Sequence, residues 1–314
     1  MNVDGATREH FEVVVVGGGA AGLSAALILG RARRKTLVLD AQQPRNAPAA
    51  HAQGIFTRDG TPPLELLRIA RDQLVPYGVK VSNRTATHVC PRNDGFLLTL
   101  DDQTTVQAHK ILLATGMKDL LPAVPGFEAL WGKAVHHCPY CHGWEVRDQA
   151  MAVYGKGTPG YLKAKLLHNW SQDLILCTDG PSGPGPTEMD HLGQLGIRVI
   201  EKPVSHLVHN GDVLQGIQFK DGSFLARQTL FLSPEQQQHS SLPAQLGCKM
   251  DPEGLQVWVD AQGQTSVPGV YAAGDMVTRA QQVMVAAASG VQAAAMLNHA
   301  FLEEGLHLKN QTRV

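Results

Sequence analysis

Ten residues near the middle of the chain, His136-His137-Cys138-Pro139-Tyr140-Cys141-His142-Gly143-Trp144-Glu145, hold two thiols two residues apart and three imidazoles. Several chemistries use such a set. C-x-x-C-H fits haem attachment, and two cysteines beside histidines fit half of a zinc site. C-P-Y-C also fits a glutaredoxin-like site or another redox disulfide. The ten residues alone do not choose among these.

The elements around the tetrad narrow the setting. Phe11–Val16 is a β-rich apolar run that leads into Gly17-Gly18-Gly19-Ala20-Ala21-Gly22 and then a helical segment to about Arg33. Thr36–Leu39 reads as a second strand that ends at Asp40. This is a βαβ unit with G-x-G-x-x-G on its first turn. Gly17 serves the tight turn, Gly19 the close approach of a pyrophosphate, and Gly22 the packing of helix on strand. The helix N-terminus offers unpaired N–H groups to phosphate, and Asp40 can accept a ribose hydroxyl. A second unit of the same spacing begins at Met151, with Gly155, Gly157 and Gly160 on its turn and a strand at Leu174–Cys177. Two such units predict an α/β protein with two Rossmann-like, three-layer nucleotide-binding domains. Lys110–Leu113 reads as a buried strand ending at Ala114-Thr115-Gly116. Val267–Ala273 runs into Gly274-Asp275, and an Ala-rich helix from Gln282 to about Leu302 follows, with a polar, frayed end from Leu306.

Composition excludes some classes. With 27 Lys and Arg against 28 Asp and Glu, net charge is −1, and nothing global favours nucleic acid. Five cysteines in 314 residues are too few, and odd in number, for a secreted disulfide framework. The uncharged run Val13–Gly30 has the length of a membrane span, but glycines interrupt it at strand-to-helix spacing. Glu9 and Glu12 precede it where a signal peptide has basic residues. No membrane span and a cytoplasmic location are expected.

The order of motifs resembles the low-molecular-weight thioredoxin reductases, which are FAD-dependent pyridine nucleotide-disulfide oxidoreductases. Those motifs are a first G-x-G-x-x-G, A-T-G at a strand end, C-x-x-C just before a second G-x-G-x-x-G, and a late G-V-Y-A-A-G-D. The resemblance implies that Gly17, Gly19, Ala20 and Gly22 hold the FAD pyrophosphate and that Asp40 holds its ribose. It places Ala114, Thr115 and Gly116 at the cofactor, Asp275 at the ribityl chain, and Gln282 and Val283 at the flavin edge. Arg45, Asn46 and His51 lie in a loop that crosses the cofactor. It further implies a homodimer and a discontinuous FAD domain, residues 1–118 and 245–314, with residues 119–244 inserted as the second domain.

For the tetrad, the resemblance implies a redox disulfide between Cys138 and Cys141, with Cys141 facing the flavin and Cys138 meeting the substrate sulfur. Haem attachment belongs to exported proteins. Zinc needs four ligands, although His136, His137 and His142 leave a surface metal site conceivable. We expect no metal. Most of these reductases carry Asp after the second cysteine; here His142 stands there, and an imidazole can take a proton from a thiol. Glu145 is a weaker candidate for that work.

The second nucleotide motif departs from the family. NADPH-using members follow it with a basic cluster for the 2′-phosphate, yet no Arg or Lys occurs from Asp173 to Gln194. C-x-x-C-H-G with this weakened site resembles the atypical branches: dithiol oxidases, ferredoxin-fed reductases and diflavin-linked enzymes. The expected function is FAD-dependent exchange of electrons between a substrate thiol pair, the disulfide and flavin, without NADPH. The substrate is a small dithiol or a thioredoxin-like protein. A second FAD or NAD(P)H at Gly155, Gly157 and Gly160 stays open. So do an NAD(P)H-dependent thioredoxin reductase and a flavin-binding redox sensor without turnover.

Overall fold

The uncharged run Val13–Gly30 divides at Gly17. β-Branched valines before it form the strand His10–Val16, and Ala and Leu after it form the helix Ala20–Arg31. Val13, Val14 and Val15 are wholly shielded from solvent. The helix stops two residues short of the expected end, where Arg33 adopts a left-handed backbone (φ 64°). The computed structural model describes residues 9–311.

The chain forms two compact units, Met1–Arg45 with Leu64–Lys118 and Gln236–Val314, and Asn46–Pro63 with Asp119–Glu235. These boundaries differ from the expected ones in two places. Asn46–Pro63 groups with the second unit, where Pro48 packs against Gly132. Gln236–Ala244 belongs to the first, because Gln238 donates to the carbonyls of Leu255 and Met276, and Leu242 is buried there.

In the first unit, the strands Lys80–Ser82, Thr36–Leu39, His10–Val16 and Thr105–Leu113 lie side by side in parallel. The last also pairs in parallel with Val270–Ala272, and its beginning pairs antiparallel with Gly95–Leu100. One face carries the helices Ala20–Arg31 and Val283–Gln311, packed through Val13, Val15, Leu29, Ala294 and Leu297. A Cβ at Gly290 would stand 2.1 Å from the Ala21 carbonyl oxygen, so small residues let these helices touch backbone to backbone. The long helix passes its expected end near Leu302 and runs to Gln311, as no proline breaks it. Thr312–Val314, the end of the tail expected to fray, lie outside the described residues. Val283–Gly305 is also long and apolar enough to cross a membrane, but Ala293, Ala294 and Leu297 sit in the first unit's core.

The second unit has a parallel five-stranded sheet in the order Arg198–Ile200, Leu174–Cys177, Met151–Tyr154, Thr229–Leu232, Val135–His136. The helices Gly157–Leu167 and Pro186–Gln194 cover one face. The antiparallel strands Val204–Asn210, Val213–Phe219 and Phe224–Ala226 cover the other. Both units are three-layer α/β structures, as the paired βαβ motifs predict.

Candidate active site

Val135–His136 is the edge strand of the second unit's sheet, and the tetrad begins two residues past its carboxyl end. Crevices at the carboxyl ends of parallel strands are where α/β folds place ligands. Cys138 is the N-cap of a single helical turn, Pro139–His142, and its carbonyl accepts the N–H groups of Cys141 and His142, each at 3.2 Å. Pro139 suits the first helical position because its missing N–H would be unpaired there. Cys138 and Cys141 are joined by a disulfide, their Cα atoms 5.3 Å apart. Cys138 therefore sits at a helix N-terminus, although one turn supplies only part of a long helix's dipole. Gly143 is required: a Cβ there would meet the Pro139 carbonyl oxygen at 2.5 Å and the Trp170 indole at 2.8 Å.

His142 turns inward. Its ring stacks on His136 with centroids 4.4 Å apart and planes 20° from parallel. Neither ring nitrogen of His136 has a hydrogen-bond partner within the protein, and both are buried. Leaving such groups unpaired costs about 1–3 kcal/mol each. Burial pushes the His136 imidazole down to about 3, aided by the neighbouring rings of His142 and His137. Burial also lowers His142, with the Glu145 carboxylate and the Cys138 backbone pulling the other way. The ring beside the disulfide is therefore a neutral base at neutral pH. Lys163, on the helix Gly157–Leu167, donates from Nζ to the His137 carbonyl at 2.7 Å, and burial lowers its ammonium to about 8. His136 is only 4% exposed, so it does not stand on the surface where the three histidines made a metal site conceivable.

Outside the disulfide, Tyr140 and Trp144 are largely exposed. With Gln53, Gly54, Ile55, Asp59 and Glu145 they line an open cleft of about 340 Å³. Arg147 lies over the Trp144 ring and donates to its carbonyl.

The first unit gathers the first glycine turn. Gly17 has φ 118°, and a Cβ there would stand 2.2 Å from the Ala114 carbonyl oxygen. At Gly22 it would stand 1.9 Å from the Gly17 carbonyl oxygen, whereas at Gly19 it would meet nothing within 4 Å. The turn is closed on its strand side and open at Gly19, the N-cap of a helix with no side-chain cap. Ala20 opens that helix. FAD, which the family implies, fits: a pyrophosphate finds unpaired N–H groups and room. Asp40 is buried at the end of its strand, with Oδ1 accepting from the Gln42 N–H at 2.8 Å and Oδ2 from Arg71 at 2.5 Å. A carboxylate has lone pairs left for a ribose hydroxyl. Ala114 follows the Thr105–Leu113 strand, Thr115 Oγ1 contacts the Met276 sulfur, and the Gly116 carbonyl accepts from the His239 N–H. Arg45 bonds Asp275 at 3.1 Å and Gln281 at 2.6 Å. Val283 begins the long helix, and the Gln282 carbonyl accepts its first N–H, from Ala286. Asn46 and His51 are not part of this cluster. They fall in the second unit, where His51 Nδ1 bonds the Gly60 carbonyl oxygen.

The second glycine turn has the same shape and a different filling. A Cβ at Gly160 would stand 2.7 Å from the Gly155 carbonyl oxygen, so the strand-side requirement is met. The Gly157 N–H, however, donates to the Ser182 carbonyl at 2.8 Å. Asp179, placed where a ribose acceptor would stand, takes the Tyr154 hydroxyl at 2.7 Å on one oxygen and the Val204 N–H at 2.7 Å on the other. Burial and this contact raise the Tyr154 phenol, so it stays a donor. No Arg or Lys occurs from Asp173 to Gln194 either, so that segment offers no cation to a 2′-phosphate. The sequence shows the missing cations; the folded-back Ser182 carbonyl and the Tyr154–Asp179 bond leave no signal in it.

Two α/β units, one with an open dinucleotide turn and one with a vicinal disulfide, define a flavoprotein of disulfide exchange. Residues 11–290 match the pyridine nucleotide-disulphide oxidoreductase family, and the chain belongs to it. Within that family it is a low-molecular-weight thioredoxin reductase-like FAD oxidoreductase acting on disulfides. It is 29% identical over 309 residues to the thioredoxin reductase sirT of Leptosphaeria maculans, spanning 92% of this chain and 93% of that protein. The crystal structure of HlmI is 35% identical with a TM-score of 0.91, over 96% of each chain. An oxidoreductase from Agrobacterium tumefaciens is 31% identical with a TM-score of 0.87, over 93% of this chain and 99% of that one.

Proposed function

We propose that the chain oxidises substrate dithiols through the Cys138–Cys141 disulfide and bound FAD, without a pyridine nucleotide. The observation that carries this is the second turn's own backbone, where the Ser182 carbonyl takes the Gly157 N–H, together with the lack of Arg or Lys from Asp173 to Gln194.

A substrate thiolate attacks the Cys138 sulfur, the sulfur–sulfur bond breaks, and Cys141 leaves as a thiolate. His142 accepts the proton of the second substrate thiol, which attacks the mixed disulfide. The substrate departs as a disulfide, and the cysteine pair is left reduced. FAD, when bound, accepts two electrons and returns them to oxygen or another acceptor. Gly17, Gly19, Ala20 and Gly22 hold its pyrophosphate, Asp40 its ribose, and Arg45, Asp275, Gln282 and Val283 its flavin end. Tyr140 and Trp144 receive the apolar part of a small dithiol. A homodimer in the cytoplasm completes the reading, on the strength of the resemblance.

Anaerobic mixing separates this from an NAD(P)H-dependent reductase. Dithiothreitol should remove the flavin absorbance, while NADPH and NADH leave it unchanged over minutes. Rapid loss with either nucleotide would overturn the proposal. No loss with any reductant would favour a redox sensor without turnover.

A further inference from the structure

We propose that His136 is a positioning residue for thiol oxidation: its buried ring, packed near Phe231 and stacked on His142, holds the second imidazole in place and screens it from water. The inference rests on the reading of His142 as the base.

His136 ends the edge strand in register with Phe231, whose ring lies 5.3 Å away and tilted by 44°. His142 stacks on it at 4.4 Å. A ring needed for packing alone would be apolar, since an imidazole with two unpaired buried nitrogens carries a desolvation cost and returns no hydrogen bond. Unpaired buried groups of this kind call for a functional explanation. The stack supplies one. Two rings this close do not both carry a positive charge, so a neutral His136 leaves His142 as the only ring to take a proton. The groups that act on the pair are few. Glu145, just past the helical turn, favours a charged His142. His137 opposes charge on His136 from the adjoining residue, and Lys163 lies behind on its helix with its amine on the His137 carbonyl. Burial outweighs Glu145, and His136 provides the buried wall on the strand side.

The account separates His136 from a merely structural residue by the pH dependence of the first chemical step. The measurement is flavin reduction by dithiothreitol in anaerobic stopped flow from pH 5 to 9. In His136→Ser, water reaches His142 and its titration moves up towards the ordinary value, so the acid limb of the rate moves to higher pH and the rate at the foot of the limb falls several-fold. His136→Phe keeps the wall and should restore the wild-type profile. A limb that stays in place in a folded, FAD-loaded His136→Ser protein overturns the inference, as does a His136→Phe limb displaced as far as that of Ser. Should the Ser variant fail to fold, 15N chemical shifts of the wild-type histidines decide: a His142 titration below that of an exposed histidine supports the inference, and one at or above it refutes it. His142→Asn distinguishes the two levels. If it reduces flavin at the wild-type rate at every pH, the base reading fails; if it is slow while the His136→Ser limb stays put, only the positioning inference fails.

Discussion

Two turns of identical glycine spacing open two helices in this chain, yet the second spends an N–H on its own loop. Gly19 and Gly157 both face free space, and neither helix has a side-chain cap. At the second, the equivalent Gly157 N–H is taken by Ser182 and the acid at the strand end is latched by Tyr154 and Val204. The comparison teaches that glycine spacing reports the steric needs of a βαβ turn, not its ligand. The Gly22 and Gly160 contacts are about packing helix on strand and persist whether or not a nucleotide binds. The ligand is decided by what the following loop does with the freed N–H groups.

Changing the two turns in parallel should give the largest contrast. Gly22→Val places atoms on the Gly17 carbonyl and should cost the protein its flavin, at least about a hundredfold in affinity, read as FAD per chain after purification. Gly157→Ala meets nothing within 4 Å and bears only the strain of φ 49°, so FAD content and dithiol turnover should stay within about twofold. Equal damage from both substitutions would erase the distinction between the turns.

If the second unit contributes chemistry through its tetrad rather than its glycine turn, His142→Asn should slow flavin reduction by a dithiol about 10²–10⁴-fold at neutral pH, with FAD retained. A rate within a factor of a few would move the base elsewhere, with Glu145 the next group to vary.

The smallest effect is on stability. His136 has its folded value depressed to about 3 from an ordinary 6.5. The unfolded chain therefore binds a proton there that the native chain does not, and stability is full above pH 6.5 and falls as pH drops through the window below it. The slope is up to about 1.4 kcal/mol per pH unit from this group. Denaturant titrations between pH 7 and 4 should show a shallower fall in His136→Phe. A parallel fall in both proteins would place the acid sensitivity in other groups.

Much of this was legible in the residues themselves. Gly17-Gly18-Gly19-Ala20-Ala21-Gly22, the valine strand before it and Asp40 after it act through local sterics, and the fold places them as their order implies. The missing cations between Asp173 and Gln194 were equally plain. What escaped depends on distant pairings. Tyr154 and Asp179 are partners across two strands, and Ser182 reaches Gly157 only because its loop folds back. His136 is buried because its strand ends beside Phe231, far along the chain, so its place in the sequence among three histidines suggested a surface instead. The resemblance puts Asn46 and His51 with Arg45 in a loop that crosses the cofactor, and the chain's division into two units falls inside that loop, with Asn46–Pro63 in the second unit near Gly132.

The claim beneath all of this is that one turn accepts a dinucleotide and the other does not. Calorimetric titration addresses it directly: apoprotein with FAD, then the loaded protein with NADPH and with NADH. The account predicts one FAD per chain and no saturable heat from either pyridine nucleotide up to millimolar concentration. Saturable micromolar binding of NADPH or NADH to the FAD-loaded protein would contradict it.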